Sequence, residues 1–175
     1  MPILRKTTRS PFTLVLGGAR SGKSRYAEKL ATQFAAPWTY IATGEAYDDE
    51  MRTRIAEHRA QRGDGWQTLE APLDLAPAIL SSAGNAIMVD CLTLWLSNLL
   101  HADRDIDAET ATLKAALERS PAPVFLVSNE VGLGIVPDNA LARRFRDATG
   151  QLHQRLATQA DRVLFMVAGL PLTVK

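Results

Sequence analysis

Short, continuously apolar runs alternate along the chain with longer stretches whose apolar residues recur at helical spacing. Leu14-Val15-Leu16 reads as a buried strand, followed by a glycine-rich turn and a helix from about Lys23 to Phe34. Trp38 to Ala42 is a second strand, rich in aromatic and β-branched residues. Asp48 to Arg62 is charged and helical in pattern, and Gly63-Asp64-Gly65 stops it. Trp66 to Leu69 is a short strand and Leu73 to Ser82 a helix. Ala86 to Val89 is continuous rather than alternating, as expected of a strand covered on both faces. Helical patterns follow at Leu92–Leu100 and Asp107–Arg119, then a strand at Val124–Val127 after the Pro121-Ala122-Pro123 break. A long helix from about Asn139 to Gln159 leads to a strand at Val163–Val167, and Leu172–Val174 closes an edge. Strand–helix alternation of this kind predicts an α/β fold, a mostly parallel sheet with helices on both faces.

Composition adds bounds. At 175 residues the chain suits a single domain, since domains average roughly 150 residues. We place that domain at 13–175, with residues 1–12 as a flexible basic tail lacking an apolar signal core. The net charge of +1 argues against a nucleic-acid or polybasic membrane partner. Apolar stretches are interrupted before they reach membrane-spanning length; the run from Ala86 to Leu100 is broken by Asp90, Ser97 and Asn98. A single cysteine, Cys91, cannot form an intrachain disulfide and suits a reducing, cytoplasmic setting.

Directly after the first strand stands Gly17-Gly18-Ala19-Arg20-Ser21-Gly22-Lys23-Ser24, a match to G-x-x-x-x-G-K-[ST] between an apolar strand and a helix. Glycines let successive backbone N–H groups curl toward phosphate oxygens, and the helix start adds its positive dipole end. Lys23 brings a point charge to the β/γ-phosphates, and the Ser24 hydroxyl is placed to ligate Mg²⁺. Arg20 also reads as a solvent-facing loop side chain. Asp90 closes an apolar strand and reads either as the acidic group near the metal or as the N-cap of the following helix. Glu130, after the Val124–Val127 strand, is the competing carboxylate.

Met51, Ile55, His58 and Arg62 fall on one face of a 3.6-residue helix, with Arg54 and Arg59 close to the imidazole. An imidazole among guanidiniums is suited to attack an anionic phosphorus centre. The same spacing also fits a surface helix with Glu–Arg pairs, in which His58 is incidental. His101 and His153 lack such surroundings and read as structural or solvent-facing.

Taken together, GGARSGKSRYAE, YIATG, DDEMRTRIAEHRAQR, a tryptophan strand ending in LEAP, VDCLTLWLSNLL and LVSNEVGLGIVPDNALARRFRDATGQLHQRLA resemble one family from about Leu14 to the C-terminus. It is the bifunctional adenosylcobinamide kinase / adenosylcobinamide-phosphate guanylyltransferase family of cobalamin biosynthesis. The resemblance implies a RecA-like P-loop NTPase fold and two reactions. In one, ATP or GTP phosphorylates the aminopropanol hydroxyl of adenosylcobinamide. In the other, GMP passes from GTP to adenosylcobinamide phosphate through a guanylylated histidine, here His58, giving adenosylcobinamide-GDP. Nucleotide contacts carried over by resemblance are Gly17 to Ser24, Ala42, Thr43, Gly44, Arg59, Ala60, Gln61, Arg62, Glu70 and Asp90, with Lys23 catalytic beside His58 and with Ser24 and Asp90 on Mg²⁺. Family members often carry Glu at the position of Asp90, so the shorter side chain puts its reach in question. A homo-oligomer, a trimer, is implied as well, and the Leu92–Leu100 segment reads equally as a contact surface or as core. Two other readings stand beside this one: a monofunctional P-loop small-molecule kinase with His58 idle, and a nucleotide-gated binding module. The guanine-reading N-K-x-D tetrapeptide of a GTP switch does not occur in the sequence.

Overall fold

A computed structural model describes residues 9–45, 53 and 62–175. Seven strands form one sheet in the order β3-β2-β4-β5-β1-β6-β7. The strands are β1 (Phe12–Gly17), β2 (Trp38–Ala42), β3 (Trp66–Glu70), β4 (Ile87–Asp90), β5 (Val124–Asn129), β6 (Arg162–Val167) and β7 (Leu170–Thr173). All neighbours pair in parallel except β6 and β7, which are antiparallel. The helices among the described residues are α1 (Lys23–Ala31), α2 (Leu75–Leu80), α3 (Leu92–His101), α4 (Ile106–Glu118) and α5 (Ala140–Gln159). The expected α/β architecture is therefore the one observed. The charged helix read at Asp48–Arg62 lies almost wholly outside the described residues.

Strand alternation sorts the core into two layers. Phe12 and Leu14 of β1, Ile87 and Val89 of β4, and Val124 and Leu126 of β5 face one side. There they meet Leu75 and Ile79 of α2, Trp95 and Leu99 of α3, Leu113 of α4 and Leu152 of α5. The intervening residues Val15, Met88, Phe125 and Val127 face the other side and meet Ala27, Leu30 and Ala31 of α1. Because the inner strands are buried on both faces, they carry no polar alternation.

Leu92, Trp95, Leu96 and Leu99 are all buried in the larger layer, and Trp95 Nε1 donates to the Leu73 carbonyl at 2.8 Å. This resolves Leu92–Leu100 as core rather than contact surface. At the N-terminus β1 already starts at Phe12, inside the segment assigned to a tail. Asp161 accepts from the Phe12 N–H at 2.8 Å and pairs with Arg9 at 2.9 Å. The last strand begins two residues earlier than expected, at Leu170, because Ala168 (φ 50°) and Gly169 (φ 80°) form a two-residue hairpin turn.

On the larger layer, His153 of α5 is buried and its Nε2 lies 2.7 Å from the Ser128 hydroxyl. Burial pushes this imidazole below its ordinary value of 6.5, partly opposed by the Glu130 carboxylate. A histidine whose folded pKa is depressed contributes its stability above the unfolded value and loses it as the pH falls through that value toward the folded one. Stability is therefore expected to decline below about pH 6.5, by at most ~1.4 kcal/mol per pH unit from this one proton. His153→Gln should flatten that part of the profile in urea titrations taken at successive pH values.

Candidate active site

Parallel strands present their carboxyl ends along one edge, and open α/β sheets bind ligands there. In register across that edge lie Glu70 opposite Ala42, Ala42 opposite Asp90, Asp90 opposite Val127, and Asn129 opposite Gly17. Gly17, Ala42, Glu70, Asp90 and Asn129 occupy the strand parity that faces α1. One strand, β5, separates β1 from β4, and Gly17 and Asp90 are level with Asn129 and Val127 on it, so at ~4.8 Å per strand and ~3.3 Å per residue their backbones stand about 12 Å apart. That is the span of a short polyphosphate.

The loop after β1 is shaped by backbone geometry. Gly22 is left-handed at φ 87° and serves as the N-cap of α1, where no side chain takes up the helix donors. A Cβ on Gly17 would stand 2.5 Å from Ser21 Oγ and 3.1 Å from the Met166 backbone oxygen. The loop is braced from outside: Glu130 N–H donates to the Gly17 carbonyl at 2.9 Å, and Gly169 N–H to the Ser21 carbonyl at 3.1 Å. No acidic residue stands in the first turn of α1, so its positive end is not neutralised from within the helix. Lys23 is buried and folds back over the loop, its Nζ donating to the Gly18 carbonyl at 2.8 Å. Ser21 Oγ is buried without a hydrogen-bond partner among the described residues. Gly18, Ala19, Arg20 and Ser24 complete the turn, with Ala19 and Arg20 exposed.

The Thr43 side chain is committed to the sheet. It is fully buried, its Oγ1 donates to the Cys91 carbonyl at 2.7 Å, and it accepts from Cys91 N–H at 2.8 Å. Its own carbonyl accepts from Asn98 Nδ2 at 2.7 Å. The Thr43 hydroxyl thus ties the ends of β2 and β4 together, and the Thr43 N–H adds a bond to the Asp90 carbonyl at 3.3 Å. Asn129 Nδ2 donates to Thr93 Oγ1 at 2.8 Å, and Cys91 Sγ stands 3.1 Å from the same hydroxyl. Burial, then the Asp90 charge, push the Cys91 thiol above its ordinary range, so it is a packing group and not a nucleophile.

Beside this latch, Tyr40 donates its hydroxyl to Asp90 Oδ2 at 3.1 Å. The Arg62 guanidinium lies over the Tyr40 ring, 3.4 Å from its centroid. Burial, then the Asp90 charge, keep this phenol protonated far above its ordinary range. Sequence pattern marked Tyr40 only as a strand residue; its alternation with Ala42 on one strand face was the available sign. Asp90 does not cap α3, whose N-cap is Cys91 with no side-chain bond. Glu130 folds onto its own loop, accepting from Gly132 N–H at 2.5 Å. Of the remaining expected residues, Glu70 is exposed at the end of β3, while His58, Arg59, Ala60 and Gln61 lie outside the described residues. No cluster of three or more His, Cys, Asp or Glu that could hold a metal ion occurs among the described residues.

A parallel sheet whose central strand runs through a glycine loop with a buried lysine into a helix defines a P-loop nucleotide-binding protein. Two solved structures share the fold at 12% identity: flagellar accessory protein FlaH from Methanocaldococcus jannaschii (TM-score 0.54, 94% of this chain, 78% of that one) and a Pyrococcus horikoshii OT3 protein (TM-score 0.57, 97% and 89%). The family model described as cobinamide kinase / cobinamide phosphate guanyltransferase matches residues 13–174, and the chain belongs to that family. It is 52% identical over 166 residues to the bifunctional adenosylcobalamin biosynthesis protein CobP of Pseudomonas aeruginosa (93% of this chain, 96% of the relative). It is 44% identical over 179 residues to the bifunctional adenosylcobalamin biosynthesis protein CobU of Salmonella typhimurium (93% and 98%). The chain is thus a bifunctional enzyme, a cobinamide kinase and a cobinamide phosphate guanylyltransferase.

The Thr43 latch gives a stability expectation. Thr43→Val keeps the volume but strands the buried Cys91 N–H, while the Cys91 carbonyl keeps its bond from Trp95 N–H; the loss costs on the order of 1–3 kcal/mol. Urea unfolding should register that loss with an unchanged m-value.

Proposed function

We propose that the Gly17–Ser24 loop holds the triphosphate for the chemistry of this chain, and that the single observation supporting this is the buried Lys23 poised on Gly18 at an uncapped helix start. In the kinase reaction the aminopropanol hydroxyl of adenosylcobinamide attacks the γ-phosphorus of ATP or GTP. Its O–P bond forms as the bond to the nucleoside diphosphate breaks, the hydroxyl proton passes to solvent, and the Lys23 ammonium and loop N–H groups take up the charge on the departing diphosphate. Mg²⁺ neutralises phosphate charge when bound, and the oxygen donors of Ser24 and Asp90 suit such a hard ion, which normally takes few protein ligands beside the phosphates.

In the transferase reaction His58 is the nucleophile. Its neutral imidazole attacks the α-phosphorus of GTP, an N–P bond forms, and pyrophosphate leaves against Lys23 and the loop. A phosphate oxygen of adenosylcobinamide phosphate then attacks the same phosphorus, the N–P bond breaks, and adenosylcobinamide-GDP departs with the imidazole restored. Ala42 to Gly44, Arg59 to Arg62 and Glu70 line the nucleotide in this reading. The family resemblance supports the assignment of His58, and the arginines around it in sequence supply the charge an anionic centre requires.

A homo-oligomer, a trimer by family resemblance, is part of the same reading. In its support, β7 leaves apolar side chains uncovered on one sheet face, Leu170 at 71% and Leu172 at 58% exposure, beside Val167 at 53%. Replacing Leu170 and Leu172 together by lysine should lower the mass found by sedimentation without lowering the melting temperature of the subunit.

Lys23→Ala is expected to depress both reactions, by on the order of 10²–10³-fold in kcat, as for removal of one electrostatic stabiliser. His58→Ala should retain cobinamide phosphorylation while losing guanylyl transfer and the acid-labile protein label left by α-labelled GTP. Label that persists in His58→Ala overturns the assignment.

A further inference from the structure

We propose that Tyr40 is a positioning residue, which fixes Asp90 so that one carboxylate oxygen is committed to the protein and the other is turned to the nucleotide-bound cation. The proposal rests on the reading of Asp90 as a ligand for that cation. Tyr40 sits on β2, buried, on the sheet face toward α1 and in register with Met88, two residues before Asp90. Its hydroxyl donates to Asp90 Oδ2 at 3.1 Å, while Oδ1 has no hydrogen-bond partner among the described residues. An aspartate carries one rotatable bond fewer than a glutamate, so a single donor on one oxygen is enough to set the plane of the carboxylate.

The ring that delivers this hydroxyl is itself held on two sides. Trp66 meets it edge-on with centroids 6.2 Å apart, and the Arg62 guanidinium lies over it at 3.4 Å. Arg62 Nη1 is buried with no hydrogen-bond partner among the described residues. The ring therefore keeps a carboxylate and a guanidinium apart yet adjacent at the cleft edge.

Tyr40→Phe retains the ring and its stacking and removes only the donor. Three variants, Tyr40→Phe, Asp90→Asn and the double variant, are compared with the parent enzyme in cobinamide phosphorylation at saturating nucleotide over a Mg²⁺ titration. Metal-free nucleotide affinity and melting temperature are measured alongside. Tyr40→Phe should raise the half-saturating Mg²⁺ concentration about tenfold, the scale of one hydrogen bond to a charged group. Metal-free nucleotide affinity should stay at the parent value, which a merely structural loss would not allow. Asp90→Asn should shift the Mg²⁺ curve at least as far, and the double variant no further than Asp90→Asn alone. A parent-like Mg²⁺ curve for Tyr40→Phe, or a double variant worse than Asp90→Asn, overturns the role of Tyr40. A parent-like curve for Asp90→Asn overturns the cation reading of Asp90 itself, and with it this proposal.

Discussion

The chain must leave β1, reverse, and start α1 within five residues, and nearly everything at the active edge depends on how that turn closes. Gly17 has no room for a side chain, because Ser21 Oγ and Met166 already fill the space a Cβ would take. Gly22 takes a left-handed conformation where any L side chain would be strained. The result is a loop in which the Gly17, Ser21 and Gly18 carbonyls accept from Glu130, Gly169 and Lys23 in turn. The start of α1 that follows it carries no side-chain cap. Electrostatic preorganisation of this sort is effective because the donors are fixed before the ligand arrives.

The second constraint is register. A slip of one residue in any parallel pair would turn its edge residue to the opposite face. Thr43 guards against this between β2 and β4 by bonding both polar groups of the Cys91 backbone. Tyr40 does similar work one turn of the pleat earlier, through a side chain rather than the backbone. Asp90 is thus placed by two independent contacts from the same strand.

Much of this was legible in sequence, and the parts that were not share a cause. Continuous apolar runs marked the central strands because burial on both faces removes the need for polar alternation. The phosphate loop was legible because its chemistry needs particular residue types at adjacent positions. The β6–β7 turn was obscured because its first left-handed residue is Ala168, where hairpin turns favour Asn, Asp or Gly. Family resemblance offers Thr43 as a nucleotide contact; that its hydroxyl faces Cys91 is set by a residue 48 positions away. Tyr40 is the same case, since Asp90 is 50 positions distant and Arg62 approaches from another segment. Local pattern specifies elements; pairings between distant strand ends emerge only when the sheet order is known.

The two faces of the sheet divide the work unequally. Four helices, α2 to α5, pack the face that carries the larger apolar layer, with Trp95, Leu96, Leu99 and Leu113 at its centre. Among the described residues α1 alone packs against the central strands on the other face, and Gly17, Asp90 and Asn129 have that face's parity. Buried apolar area on the first face supplies stability at roughly 25 cal/mol per Å² and does so without reference to the ligand. The second face can then keep the buried Lys23 and, among the described residues, a Ser21 hydroxyl and an Arg62 donor with no hydrogen bond, whose burial costs stability. Groups of that kind cluster on the side where a polyanion would satisfy them, and they are tolerated there because the opposite layer holds the sheet in place.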